Sequence, residues 1–191
     1  RTVPLGVVYP RNTQEVAQVI EHCQRHHTPV VTQGGLTGLA GGAHPIENSV
    51  VLSTEKMCGV THVDPVMGTL TAWAGTTLQD IQQAAEAAGL YFPIDLGSRG
   101  SCTIGGNLAT NAGGNKVIRY GMTREHVLGL ECVLPDGSVM TESAAMMIHI
   151  CEQHPAAGLA LTAGEQRALV AFLRTLTDST VSAAPAGLRG R

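Results

Sequence analysis

The sequence predicts an α+β fold, and three observations carry that expectation. Runs such as Val30-Val31-Thr32 and Val50-Val51-Leu52-Ser53 are strand-like and β-branched, and they alternate with segments of helical period. Pro135-Asp136-Gly137 lies between two apolar runs as a hairpin turn. Two glycine-dense loops, residues 32–42 and residues 97–106 with their continuation to 114, hold 11 of the 23 glycines. Both loops are rich in Ser and Thr and poor in Lys and Arg, so their backbone amides suit the oxygens of a pyrophosphate. They also fit tight turns that need positive φ, and the residues alone leave both readings open.

In chain order, Val7-Val8-Tyr9 is extended and ends at Pro10. Asn12 with Glu15 three residues on is close to a capping box, and Val16, Val19, Ile20 and Cys23 mark one buried face of a helix over residues 13–27. After Pro29 the strand Val30-Val31-Thr32 runs straight into the first glycine loop. Val50 to Ser53 and the run around residues 69–74 are the next strands, the second alternating threonine with apolar residues. Gly75-Thr76-Thr77 starts a helix whose buried side is Leu78, Ile81, Ala84, Ala85 and Ala88, and Gly89 stops it. Pro93-Ile94-Asp95-Leu96 leads into the second loop, and residues 107–112 suit a short helix or tight turn. Residues 131–134 and 138–141 flank the hairpin turn, so this region is expected to be antiparallel.

Composition excludes several classes. With 191 residues, 43% hydrophobic and 14% charged, the chain can bury a core as an ordinary globular protein. A net charge of -3 without a basic cluster, and only three Tyr, two Phe and one Trp, argue against a nucleic-acid partner. No apolar stretch reaches the ~20 residues of a membrane span, and the N-terminus lacks signal-peptide order. Five scattered cysteines without a C-x-x-C pair argue against a disulfide framework or a zinc ribbon. The expectation is a cytoplasmic protein.

Histidines do not alter that picture. His22, His26 and His27 gather at a helix end, where solvated side chains are the expectation, and His149 and His154 flank Cys151 without zinc-site spacing. No metal is expected. Neither G-x-G-x-x-G after a first strand nor G-x-x-x-x-G-K-[ST] occurs, which disfavours Rossmann and P-loop nucleotide folds.

The joint pattern is more specific than its parts. Gln33-Gly34-Gly35-x-Thr37-Gly38-Leu39 follows a strand. Pro93-x-Asp95-Leu96-Gly97-Ser98-x-Gly100-Ser101-Cys102-Thr103-Ile104-Gly105-Gly106-Asn107-x-Ala109-Thr110-Asn111-Ala112-Gly113-Gly114 comes later, and Arg119-Tyr120-Gly121 runs on to Leu128-Gly129-Leu130-Glu131. From residue 3 to 142 this resembles the PCMH-type FAD-binding domain of the vanillyl-alcohol-oxidase flavoproteins, and within them the FAD-linked D-2-hydroxyacid dehydrogenases acting on D-lactate, D-2-hydroxyglutarate or glycolate. The resemblance implies a PCMH-type domain of two α+β subdomains, truncated at its C-terminal side, with FAD extended between them.

By the same resemblance, Gln33, Gly34, Gly35, Leu36, Thr37, Gly38 and Leu39 are expected to hold the phosphates. Pro93, Asp95, Ser98, Cys102, Thr103, Gly105, Gly106, Ala109, Thr110 and Asn111 are expected around the rest of the cofactor. Relatives that bind flavin through a cysteine thioether also carry a histidine in the first loop, where this chain has Leu36-Thr37, so noncovalent FAD is expected and Cys102 is read as a packed thiol. The implied reaction is oxidation of a D-2-hydroxy acid to a 2-oxo acid, with a separate electron acceptor. The substrate side is implied to come from a missing domain or a partner chain, so the isolated chain is expected to be inactive. The alternative is a non-catalytic flavin-binding subunit. Among the arginines, only Arg99 is a further cofactor candidate.

Residues 143–191 do not match that pattern. Thr162-Ala163-Gly164-Glu165 is a capping box ahead of Leu169, Phe172, Leu173 and Leu176, and the segment resembles the C-terminal helix of di-haem cytochrome c peroxidases. The expected division is an incomplete FAD-binding domain over 1–142 and an unrelated tail over 143–191.

Overall fold

A computed structural model describes residues 2–142. The helix expected beyond residue 162 lies outside the described residues. The order is β1 (Gly6–Val8), α1 (Thr13–Arg25), β2 (Val30–Gln33), β3 (Val50–Ser53), β4 (Val60–Asp64), β5 (Thr69–Ala72), α2 (Leu78–Ala87), α3 (Ile104–Ala109), α4 (Val117–Tyr120), β6 (Leu130–Val133) and β7 (Val139–Glu142). Helices and strands are mixed, as the α+β expectation requires.

The first sheet is parallel, with order β1-β3-β2. Neither of the first two strands pairs with the other; both flank β3, which is the most buried, with Val51 and Leu52 almost inaccessible. A strand hydrogen-bonded on both sides and covered on its faces reads as a continuous apolar run, which is what Val50-Val51-Leu52 is. Asn12 caps α1, its side-chain oxygen accepting from the Glu15 amide at 2.9 Å. The Glu15 carboxylate turns back one residue further than a standard box, to the Arg11 amide at 2.8 Å and guanidinium at 2.8 Å. That contact holds Glu15 below the usual carboxylate range. Helix α1 ends at Arg25 rather than residue 27, because His27 takes φ of +51°.

β4 and β5 form an antiparallel pair with a register irregularity between Val60 and His62. The Thr77 side chain caps α2, accepting from the Asp80 amide at 3.1 Å. At its other end Gly89, with φ of +73°, closes a Schellman motif in which the Leu90 amide donates to the Ala85 carbonyl at 2.8 Å. The buried side of α2 is Leu78, Ile81 and Ala85. Leu78 joins Ile94 and Cys102 in a core cluster, with Phe92 and Leu96 packed against it. This cluster sits directly under the second glycine loop and fixes where that loop can lie. β6 and β7 are joined at the expected turn, where the Leu134 amide donates to the Ser138 carbonyl at 2.8 Å. Among the described residues, no helix is long and apolar enough to cross a membrane.

Candidate functional site

The first loop leaves β2 at Gln33, whose side-chain amide donates to the Ala43 carbonyl at 2.8 Å and so ties the loop's two ends together. Gly34 and Gly35 are where the chain meets the second loop. A Cβ on Gly34 would collide with the Thr103 hydroxyl oxygen, and one on Gly35 would overlap the Ser101 carbonyl and lie 2.9 Å from Cys102 Cα. Only residues without side chains allow the two backbones to approach this closely. The two loops are therefore one surface. Leu36 then adopts φ of +55°, an orientation that costs a non-glycine residue about 1–2 kcal/mol. It is exposed, as are Thr37, Gly38 and Leu39, so this arm of the loop reaches into solvent.

The second loop is clamped onto the turn before α2. Amides of Ile104 and Gly105 donate to the carbonyls of Thr76 (2.8 Å) and Ala74 (2.9 Å), and the Leu78 amide donates to Cys102 (3.0 Å). Pro93 is buried, and Cys102 is 2% exposed with its sulfur accepting from the Asn107 side-chain amide at 3.6 Å. The Cys102 side chain thus belongs to the core, and its backbone faces Gly35. Thr103 is the most informative residue of the set. It stands at the N-cap of α3 without a side-chain capping bond, is 8% exposed, and its hydroxyl is buried with no hydrogen-bond partner among the described residues. A buried unpaired hydroxyl costs about 1–3 kcal/mol. It is placed where the loops meet, against Gly34.

Helix α3 begins at Ile104, three residues before the stretch expected to be helical, so Gly105, Gly106 and Ala109 lie on it. Glycine disfavours helix, but a Cβ at Gly105 would lie 2.8 Å from the Ala74 Cβ, so packing overrides propensity here. The Thr110 hydroxyl donates back to the Gly106 carbonyl at 3.0 Å. Asn111 has φ of +49° and its side-chain oxygen accepts from the Arg124 amide at 3.1 Å. Arg124 also gives its guanidinium to the carbonyls of Leu108 (3.0 Å) and Ala109 (2.9 Å), closing the end of α3. Nothing in the surrounding sequence distinguishes this arginine from a solvated one.

Asp95 and Ser98 sit at the loop's entry. Asp95 bridges Gly114 through the backbone, and its carboxylate lies 3.8 Å from both Arg99 and Lys116. Arg99 is thus an exposed partner of Asp95, and Ser98 receives the Ser101 and Cys102 amides on its carbonyl at 2.8 Å each. Lys116 donates to the Tyr91 hydroxyl at 2.6 Å, which keeps its ammonium charged above the ordinary lysine range. Among the described residues no group of three or more His, Cys, Asp or Glu gathers as a metal centre.

A family described as FAD binding domain matches residues 4–143. The mitochondrial D-2-hydroxyglutarate dehydrogenase of Bos taurus is 48% identical over 131 residues, covering 69% of this chain and 24% of that protein. The D-2-hydroxyglutarate dehydrogenase of Xanthomonas citri pv. viticola is 42% identical over 144 residues, 75% of this chain and 30% of that protein. The chain therefore spans about a quarter to a third of the relatives it matches. In fold it is similar to Phl p 4, a grass pollen allergen with glucose dehydrogenase activity, with a TM-score of 0.68 at 22% identity over 76% of this chain and 30% of that one.

Proposed function

This chain belongs to the FAD-binding-domain family, and on that footing we propose that it is the flavin-holding part of an oxidoreductase converting a D-2-hydroxy acid to a 2-oxo acid. FAD is the cofactor of the family, and when bound it supplies the two-electron acceptor for the substrate's hydride. What this chain does is bind and orient. The arm from Gln33 to Leu39 cradles phosphate oxygens with backbone amides, and Thr103 turns its idle hydroxyl to the ligand. The segments around Pro93, Asp95 and Ser98, and from Gly105 to Asn111, wall the remainder. Cys102 contributes backbone there while its thiol stays packed.

The observation that carries this reading is the unpartnered Thr103 hydroxyl at the junction of the two loops. Its removal separates folding from binding. Thr103→Val should leave the melting temperature of the FAD-free protein unchanged or raise it, since an unpaired buried hydroxyl disappears. FAD affinity should fall about ten- to a hundredfold, the worth of a hydrogen bond to a charged oxygen. A melting temperature that falls while FAD affinity holds would show that the hydroxyl is structural.

The substrate side is supported by the names of the cattle and Xanthomonas relatives, both D-2-hydroxyglutarate dehydrogenases. We place the substrate-binding groups in a separate domain or partner chain, and read residues 143–191 as foreign to the flavin fold. A chimera of the Xanthomonas relative carrying residues 3–142 of this chain in the matching position should reduce a dye with D-2-hydroxyglutarate. The chain alone with FAD should not. A flavin-loaded chimera without turnover contradicts the substrate reading and leaves flavin binding standing. The scattered cysteines, without any C-x-x-C pair, support a reducing compartment. The cattle relative is named as mitochondrial, so that compartment need not be the cytoplasm.

A further inference from the structure

Away from the loops, α1 ends in a pair of imidazoles that the flavin reading does not use. His22 and His26 are one helical turn apart and exposed, with ring centroids separated by 4.5 Å and ring planes inclined at 45°. The His26 amide donates to the His22 carbonyl at 3.3 Å, so continuous helical backbone sets the relation between the two side chains. Residues four apart lie on one helix face, one above the other. Neither ring makes a side-chain hydrogen bond or ion pair among the described residues.

The neighbouring donors are already committed. Glu15, which lines the same groove as His22, is taken by Arg11 at 2.8 Å. Cys23 is buried and packs as a small hydrophobe. What remains is two imidazoles on a rigid frame. Imidazole suits copper, nickel and zinc, whereas magnesium and calcium take oxygen ligands.

We propose that His22 and His26 form a surface chelate for a divalent transition-metal ion, with two protein nitrogens and water in the remaining positions. The bound ion clips the last turn of α1, just ahead of Pro29 and the strand that opens into the first loop. Because the unfolded chain does not hold this geometry, the ion stabilises the folded state by linkage. The proposal is independent of the flavin reading.

The test uses the full chain without an affinity tag, titrated calorimetrically with Cu2+, Ni2+, Zn2+ and Mg2+. Copper should bind most tightly, following the usual order for nitrogen ligands, and magnesium should give no heat. His22→Gln and His26→Gln should each lose at least about tenfold in copper affinity, since losing even an outer partner of a metal ligand costs that much. His27→Gln, next in sequence but off the shared face, should retain it. All three positions are exposed, and far-ultraviolet circular dichroism checks that the helix persists. Absence of copper uptake by the wild type overturns the proposal. So does wild-type affinity in either His22→Gln or His26→Gln.

Discussion

Gly35→Ala is expected to abolish FAD uptake and to destabilise the protein even without FAD. The added methyl would overlap the Ser101 carbonyl and crowd Cys102 Cα, and both of those atoms are backbone, so no side chain can rotate away. Overpacking costs typically about 1–3 kcal/mol, and a clash with main chain belongs at the upper end. Relief requires the two loops to separate, which removes the surface they share. Gly38→Ala is the contrast, because nothing lies within 4 Å of a Cβ built there. It should keep the FAD-free melting temperature and weaken only FAD affinity. Denaturant unfolding and flavin fluorescence titration on both variants check the pair. Equal stability of Gly35→Ala and wild type would mean that the loops do not abut.

Leu78→Ala is expected to be the most destabilising single change, by about 2–5 kcal/mol, the range for emptying a fully buried leucine site. Leu78 is 0% exposed and packs with Ile94 and Cys102 beneath the second loop, and its amide holds the Cys102 carbonyl. The cavity therefore opens under the residues that face Gly35. Stability and FAD affinity should fall together, whereas Thr103→Val moves them apart. Urea unfolding gives the first quantity and a visible-absorbance titration the second. A Leu78→Ala protein that loses less than about 1 kcal/mol would mean that the core lies elsewhere.

Local chemistry makes some elements legible in the amino-acid sequence. Asn12 with Glu15 announces α1, and Thr77 with Gly89 bounds α2, because caps are local bonds between near neighbours. β4 is hidden: His62 and Asp64 dilute its apolar pattern, and its register irregularity is fixed by pairing with β5. The early start of α3 is hidden for the opposite reason. Gly105 and Gly106 argue against helix locally, and only contact with Ala74 and Thr76, some thirty residues upstream, makes helix the better state.

The site is legible in part. Glycine-rich runs and their joint pattern point to the family and to two loops, but not to how the loops meet. That Gly34 and Gly35 face Thr103, Ser101 and Cys102 is a long-range relation, written in no window of the sequence. Arg124 closing α3 and the idle Thr103 hydroxyl become visible only with the fold. Cys102 illustrates the division: its position in the loop is readable, while its burial at 2% exposure depends on Leu78 and Ile94 arriving from other elements.

The direct measurement is titration of the purified, folded chain with FAD at micromolar protein, followed by visible absorbance and flavin fluorescence. One FAD per chain should bind with quenched fluorescence, and acid should release all of the yellow colour into the supernatant. A folded chain that takes up no FAD, or that binds it as well after Gly35→Ala as before, contradicts a groove built from the two loops.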